Sequence, residues 1–136
     1  MAPHELRPKA GETKITINLG VVDLGQIDLL VQEGFYSNRT DFIRTSIRNQ
    51  LVPHAEVVKQ AVARKTMVLG LQRYSRQDLE ALKSAGQRLQ IQVLGLASIA
   101  DDVPADLALA TIDSIFVLGA LQASPAVKAA LAGRIH

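Results

Sequence analysis

From Lys14 to Leu19 polar and apolar residues alternate, with Lys14, Thr16 and Asn18 on one side and Ile15, Ile17 and Leu19 on the other. Alternation with β-branched residues predicts a half-buried strand. The period then changes. Leu24, Ile27, Leu30 and Val31 recur at helical spacing behind Asp23, the expected N-cap, and Gly34 stands where a C′ residue ends a helix. Gly25 inside this pattern weakens the helix by about 1 kcal/mol relative to Ala. Ser37 is the expected N-cap of a second helix. Its apolar face is Phe42, Ile43, Ile47 and Leu51, its polar face holds Arg39, Arg44, Arg48, Asn49 and Gln50, and Pro53 stops it. Residues 54–65 predict a short connecting helix with Val57, Val58, Ala61 and Val62 on one side.

Beyond residue 65 the pattern repeats. Val-Leu-Gly occurs at Val68–Gly70, Val93–Gly95 and Val117–Gly119, with separations of 25 and 24 residues. Each copy is expected to close a β-like run and is followed by a polar stretch and a helix start. Those starts are Ser75, Asp102 and Ser124, with Pro104 and Pro125 expected in first turns. Strand, turn and helix repeating at this period resemble solenoid units. They predict parallel strands joined by right-handed crossovers, with Thr66, Val68, Ile91, Val93, Ile115 and Val117 facing the helices. A ferredoxin-like domain, with antiparallel pairing of the same strands, is the alternative. Three units leave exposed ends, which predicts caps or a partner.

The expected fold class is α+β. A strand-helix-helix module over residues 13–53 is followed by a helical connector at 54–65 and a three-unit β-α repeat domain at 66–136, for oligomerisation or partner binding. Residues 1–12, with Pro3, Pro8 and Gly11 and no period, predict a flexible arm. His4, Arg7 and Lys9 in it can brush a phosphate backbone, although an untethered terminus is the simpler reading.

Composition narrows the chemistry. The chain of 136 residues has no Cys, so neither a disulfide framework nor a thiolate zinc site is possible. A Gly-rich phosphate loop, HExxH and Gly-x-Ser-x-Gly are all missing, and His4, His54 and His136 lie far apart. Neither enzymatic activity nor a cofactor or metal is expected. Asp101-Asp102 reads as helix capping rather than a cation site. The chain has no signal-peptide core and no membrane-length apolar run, so a cytoplasmic protein without a membrane partner is expected. Net charge is +2, but residues 1–54 balance six Lys/Arg against six Asp/Glu, while residues 55–88 carry seven basic and three acidic residues. The first module is therefore not globally basic.

Two features of that balanced module point to nucleic acid. Two copies of Lys14–Leu19, one per chain, would make an antiparallel ribbon narrow enough for a major groove. Lys14 can donate to guanine, Asn18 can bridge adenine, and Thr16 offers a hydroxyl and a methyl group. The plain alternative is the solvated face of an edge strand. Ser37-Asn38-Arg39-Thr40 at a helix start suits a phosphate, and equally suits simple capping. A module of this size is too small to bury a core alone and needs a partner.

The strand KITINL, the helix after it and the stretch GFYSNRTDFIRTSIR together resemble the ribbon-helix-helix family, the group of Arc-, MetJ- and CopG-type repressors, from Lys14 to about Pro53. The resemblance implies an intertwined homodimer on double-stranded DNA. It places Lys14, Thr16 and Asn18 at base-reading positions, Ser37, Asn38 and Arg39 at phosphate-anchoring positions, and Ile15, Ile17, Leu19, Leu30, Ile43 and Ile47 in the dimer core. Gly20-Val21 departs from the Pro often found after the strand. The region beyond carries no such resemblance, and the His cluster and Cys of nickel-sensing members are missing. The expected function is sequence-specific transcriptional repression, with tetramers or larger arrays built through a sheet edge or end of the C-terminal domain. An antitoxin, or a regulator sensing a ligand through that domain, are the alternatives.

Overall fold

The computed structural model describes residues 11–136. Most of the expected arm, with His4, Arg7 and Lys9, lies outside the described residues. Contacts divide the chain into two units, Lys14–Ala61 and Val62–His136, with residues 11–13 belonging to the second.

In the first unit the segment Lys14–Leu19 is neither helix nor strand. The expected strand is thus absent from the single chain, because a strand is defined by a hydrogen-bonded neighbour and this segment pairs with no described part of its own chain. Helix α1 (Val21–Gln32) begins earlier than expected. Gly20, not Asp23, is its N-cap, and Asp23 lies in the first turn, where its charge complements the helix dipole. Gly34 ends α1 as expected, at φ +86°. Its N–H donates to the Val31 carbonyl at 3.1 Å and that of Phe35 to Leu30 at 3.0 Å, a Schellman closure.

Helix α2 (Arg39–Leu51) is capped by Asn38, one residue after the expected Ser37. Pro53 does stop α2, but the backbone keeps helical angles through the 3₁₀ turn Val52–His54 and resumes as α3 (Ala55–Arg64). Within Lys14–Ala61 only Ile27 is buried. The other apolar residues of the amphipathic pattern have little to pack against in one chain.

The second unit is a layered β-α structure. Strand β1 (Val68–Tyr74) is followed by α4 (Arg76–Ser84), β2 (Leu89–Ile99), α5 (Ala105–Thr111), β3 (Ile112–Gln122) and α6 (Pro125–Ala130). The sheet order is β1-β2-β3 and both pairings are parallel. This excludes the antiparallel ferredoxin-like alternative.

The Val-Leu-Gly copies align residue by residue: Val68 with Val93 and Val117, Leu69 with Leu94 and Leu118, Gly70 with Gly95 and Gly119. They do not close the strands, as expected, but open β1 and sit inside β2 and β3. The three glycines have φ of +126°, +137° and +123°. A Cβ built on Gly95 would lie 2.1 Å from the Gly70 carbonyl oxygen, and one on Gly119 2.1 Å from that of Gly95. The repeat therefore marks a column of close backbone approaches across the sheet, which a side chain would prevent.

Ile91, Val93, Ala97, Ile99 and Ile115 form the buried face of the sheet, packed against Leu79, Leu107, Ala108, Val127 and Leu131 from the helical layer. Ile91, Val93, Ile115 and the partly buried Val117 thus lie where alternation placed them. Thr66 does not: it occupies a turn at φ +54°, and Val68 stays largely exposed at the tip of β1.

Ser75 and Asp78 cap each other at the start of α4, and Ser124 accepts from the Val127 N–H with Pro125 at N1 of α6. At α5 the expectation fails. Pro104, not Asp102, is the N-cap, because the turn that donates from Val103 to the Ala100 carbonyl at 3.1 Å buries Val103 and delays the helix. Helix α5 runs into β3 without a loop. Its end carbonyls are met by arginines: Arg88 donates to Ala110 and Leu109, Arg134 to Leu109 at 2.8 Å and Ile112 at 2.7 Å.

Candidate nucleic-acid interface

Lys14, Thr16 and Asn18 are exposed in the extended lead-in to α1. Ile15, Ile17 and Leu19 are also exposed, at 74%, 57% and 42%. Both sides of the alternating segment thus face solvent in the single chain. Leaving three such side chains in water forgoes on the order of 1.5–3 kcal/mol each of burial free energy.

The remaining positions assigned to the dimer core lie on the helices. Leu30 and Ile43 are partly buried and Ile47 is half-exposed. An open groove of about 380 Å³ is lined by Leu19, Ile27, Leu30 and Phe42, with Asp23 and Gln26 completing it. Ile27 and Phe42 were not among the expected dimer-core residues. Phe42 meets Tyr36 edge-on, ring centroids 4.9 Å apart, which holds the inter-helix turn against α2. The aromatic spacing at Tyr36 and Phe42 was the available signal, since it brings a turn residue over the first turn of a helix.

The Ser37–Arg39 corner is organised by local hydrogen bonds. The Asn38 side chain accepts from the Asp41 N–H at 2.8 Å, and the Ser37 N–H donates to Asp41 Oδ2 at 2.9 Å. The α2 N-terminus thus carries a carboxylate of its own in the first turn. Arg39 does not project freely. Its Nε and a terminal nitrogen donate to the two carboxylate oxygens of Asp28 on α1, at 2.7 and 2.8 Å. This fork clasps α1 to α2. The hydrogen bond from Arg39 holds the Asp28 carboxyl below its ordinary range, outweighing the opposing effect of desolvation, and the Arg39 charge adds to it. The partner feels the same pair: Arg39 is raised by the Asp28 hydrogen bond and charge. The corner therefore offers backbone N–H groups and a hydroxyl, with the arginine charge committed to α1.

Among the described residues no cluster of three metal-binding side chains occurs, and no helix is long and apolar enough to cross a membrane.

The family model described as the Ribbon-Helix-Helix transcriptional regulator family matches residues 10–128. The match extends well past Pro53, where the resemblance in motifs ended, and takes in all three strands of the sheet. No curated protein and no solved structure matches the chain.

Proposed function

As the chain belongs to the ribbon-helix-helix transcriptional regulator family, we propose that it is a sequence-specific repressor that reads DNA as a homodimer, through a ribbon formed by Lys14–Leu19 of two chains. The observation that carries this reading is the extended segment itself. It has a strand's alternation, no ladder partner among the described residues of its own chain, and Ile15, Ile17 and Leu19 in solvent. Pairing with the same segment of a second copy would satisfy the backbone groups and bury the isoleucine face. Lys14, Thr16 and Asn18 would then be presented side by side, as in a two-stranded reader of the major groove. The groove lined by Leu19, Ile27, Leu30 and Phe42, with Ile43 and Ile47 nearby on α2, would receive the partner.

Ser37 and Asn38 would anchor the ribbon to the DNA backbone through the N–H groups of the α2 start. Arg39 contributes by holding α1 and α2 in register. With one cation and two neutral side chains as the reading face, specificity comes from base edges more than from bulk charge. The packed core of Val62–His136 speaks against the disordered tail of an antitoxin.

Sites bound in the genome supply the operator for the test. Replacing Lys14, Thr16 and Asn18 together with Ala should abolish preference for that operator over random DNA and leave the mass in solution at two chains. Undiminished operator preference in the triple variant would sink the base-reading assignment, and a single-chain mass for the parent protein would sink the ribbon.

A further inference from the structure

An all-parallel sheet is almost always covered on both faces, yet here the helical layer packs on one. The opposite face carries, in register, the row Leu69-Leu94-Leu118 and next to it Leu71-Leu96-Ala120. Leu69, Leu71 and Leu118 are 64%, 68% and 49% exposed. Gly11 lies against Leu71 without covering it. The row toward the strand ends is Arg73-Ser98-Gln122, and at the opposite margin Lys65 Nζ lies 5.4 Å from the centre of the Phe116 ring, so the face has one cation at each margin and its strand rows carry no carboxylate.

We propose that this leucine face is a docking surface for the same face of a second copy of the chain, the two sheets stacking leucine row on leucine row. Charge selects the occupant. Two cations at opposite margins, one of them spent on the Phe116 ring, cannot track a nucleic acid, and the leucine rows between them hold no charge to answer a charged peptide, whereas an identical apolar face is complementary to them. A two-fold axis through the leucine rows also sets the two Arg73 side chains at opposite ends, where they do not oppose each other.

Size selects how the copy arrives. Three strands spaced by roughly 4.8 Å and about eight residues long present a flat face of roughly 14 by 27 Å per copy. That is about half the ~800 Å² per partner of a free-standing complex. Such a contact is weak between free molecules. Between chains already joined at the N-terminal unit, an effective concentration in the millimolar range is enough to close it. The tether rests on the ribbon dimer proposed above, but the face does not. The surface differs from the edge or end of the sheet expected from the repeats: on the β3 edge Ile135 already bridges Ile115, and the His136 N–H donates to the Ile115 carbonyl at 2.8 Å.

The absence of Cys makes a direct test available. Ser98→Cys in the full-length chain carries one nitroxide label at the margin of the face, and Lys83→Cys carries one on α4 in the helical layer. Stacked sheets about 10 Å apart should give a label-to-label distance under about 25 Å for Ser98→Cys, a longer one for Lys83→Cys, and loss of the short distance when Leu71→Lys is added. Leu71 is exposed, so Leu71→Lys should leave the circular dichroism and melting of the chain intact, and Leu118→Lys repeats the test at a second position. A short distance that grows in only with concentration, together with a rising mass, upholds the face and overturns the ribbon tether. A mass fixed at two chains with operator binding intact and no short distance at any concentration overturns the face and leaves the ribbon standing. A short distance that forms only after residues 1–10 are removed assigns the face to the chain's own leading segment and overturns the proposal.

Discussion

Gly95 and Gly25 show how differently one residue type is constrained. At Gly95 the backbone holds φ at +137° and a Cβ would overlap the Gly70 carbonyl oxygen, a backbone atom that cannot swing away. Gly95→Ala should cost more than about 4 kcal/mol, seen as loss of the cooperative urea transition of the sheet unit. At Gly25, inside α1, a Cβ meets nothing within 4 Å. Gly25→Ala should raise stability by up to about 1 kcal/mol, read in the urea transition of the N-terminal unit. The motif Val-Leu-Gly was legible in the sequence, but its meaning was not. Local pattern suggested a strand end, whereas the glycine is required by the neighbouring strand, which only tertiary pairing brings to it.

Asp28 and Arg39 add a pH dependence. Arg39 favours the ionised form of Asp28 in the folded state, so the pair's contribution is complete above the ordinary aspartate range and is lost as pH falls through the lowered value. Asp28→Asn should leave the acid end of a stability-versus-pH curve for the N-terminal unit where it is and lower the neutral plateau slightly, flattening the acid limb by the same small amount, a surface pair being worth little. A curve that keeps its acid slope would show the pair is not formed in solution.

At the scale of elements, caps were read well where they are local. Ser75 and Ser124 act through bonds to residues three further on, and the spacing records this directly. Asp102 and Ser37 were misassigned because turns of their own displace the helix start, through burial of Val103 in one case and the Asn38-Asp41 hydrogen bond in the other. The α5–β3 junction was not legible at all. Its carbonyls are met by Arg88 from the start of β2 and Arg134 from the chain end, and neither has a local signature. Charge-assisted bonds of this kind contribute about 1.5–3 kcal/mol. Arg134→Met should therefore lower stability by about that much in urea denaturation, with Arg134→Lys restoring much of it, since both bonds come from one guanidinium nitrogen, Nη1, and an ammonium has donors enough for two carbonyls. A neutral Arg134→Met would show that water serves these carbonyls equally well.

At the scale of the whole molecule, two units of opposite character share one chain. Val62–His136 closes a core around Ile91, Val93, Ile115, Leu79 and Val127. Lys14–Ala61 buries only Ile27. The second unit should therefore melt without regard to protein concentration, and the first with a midpoint that rises with it, because stability drawn from a partner follows mass action. Calorimetry over a hundred-fold range of concentration distinguishes the two; a single transition that ignores concentration would contradict the ribbon. By itself the sequence determined the alternating segment, the two helices behind it and the strand-helix repeat, because periodicity and caps are local properties. Tertiary structure alone decided between parallel and antiparallel pairing of the strands, that Arg39 is bound to Asp28, that the repeated glycines stack in a column, and that the described residues leave a leucine face of the sheet largely uncovered. Each of these depends on residues far apart in the chain meeting at a few ångströms, and periodicity carries no record of such meetings.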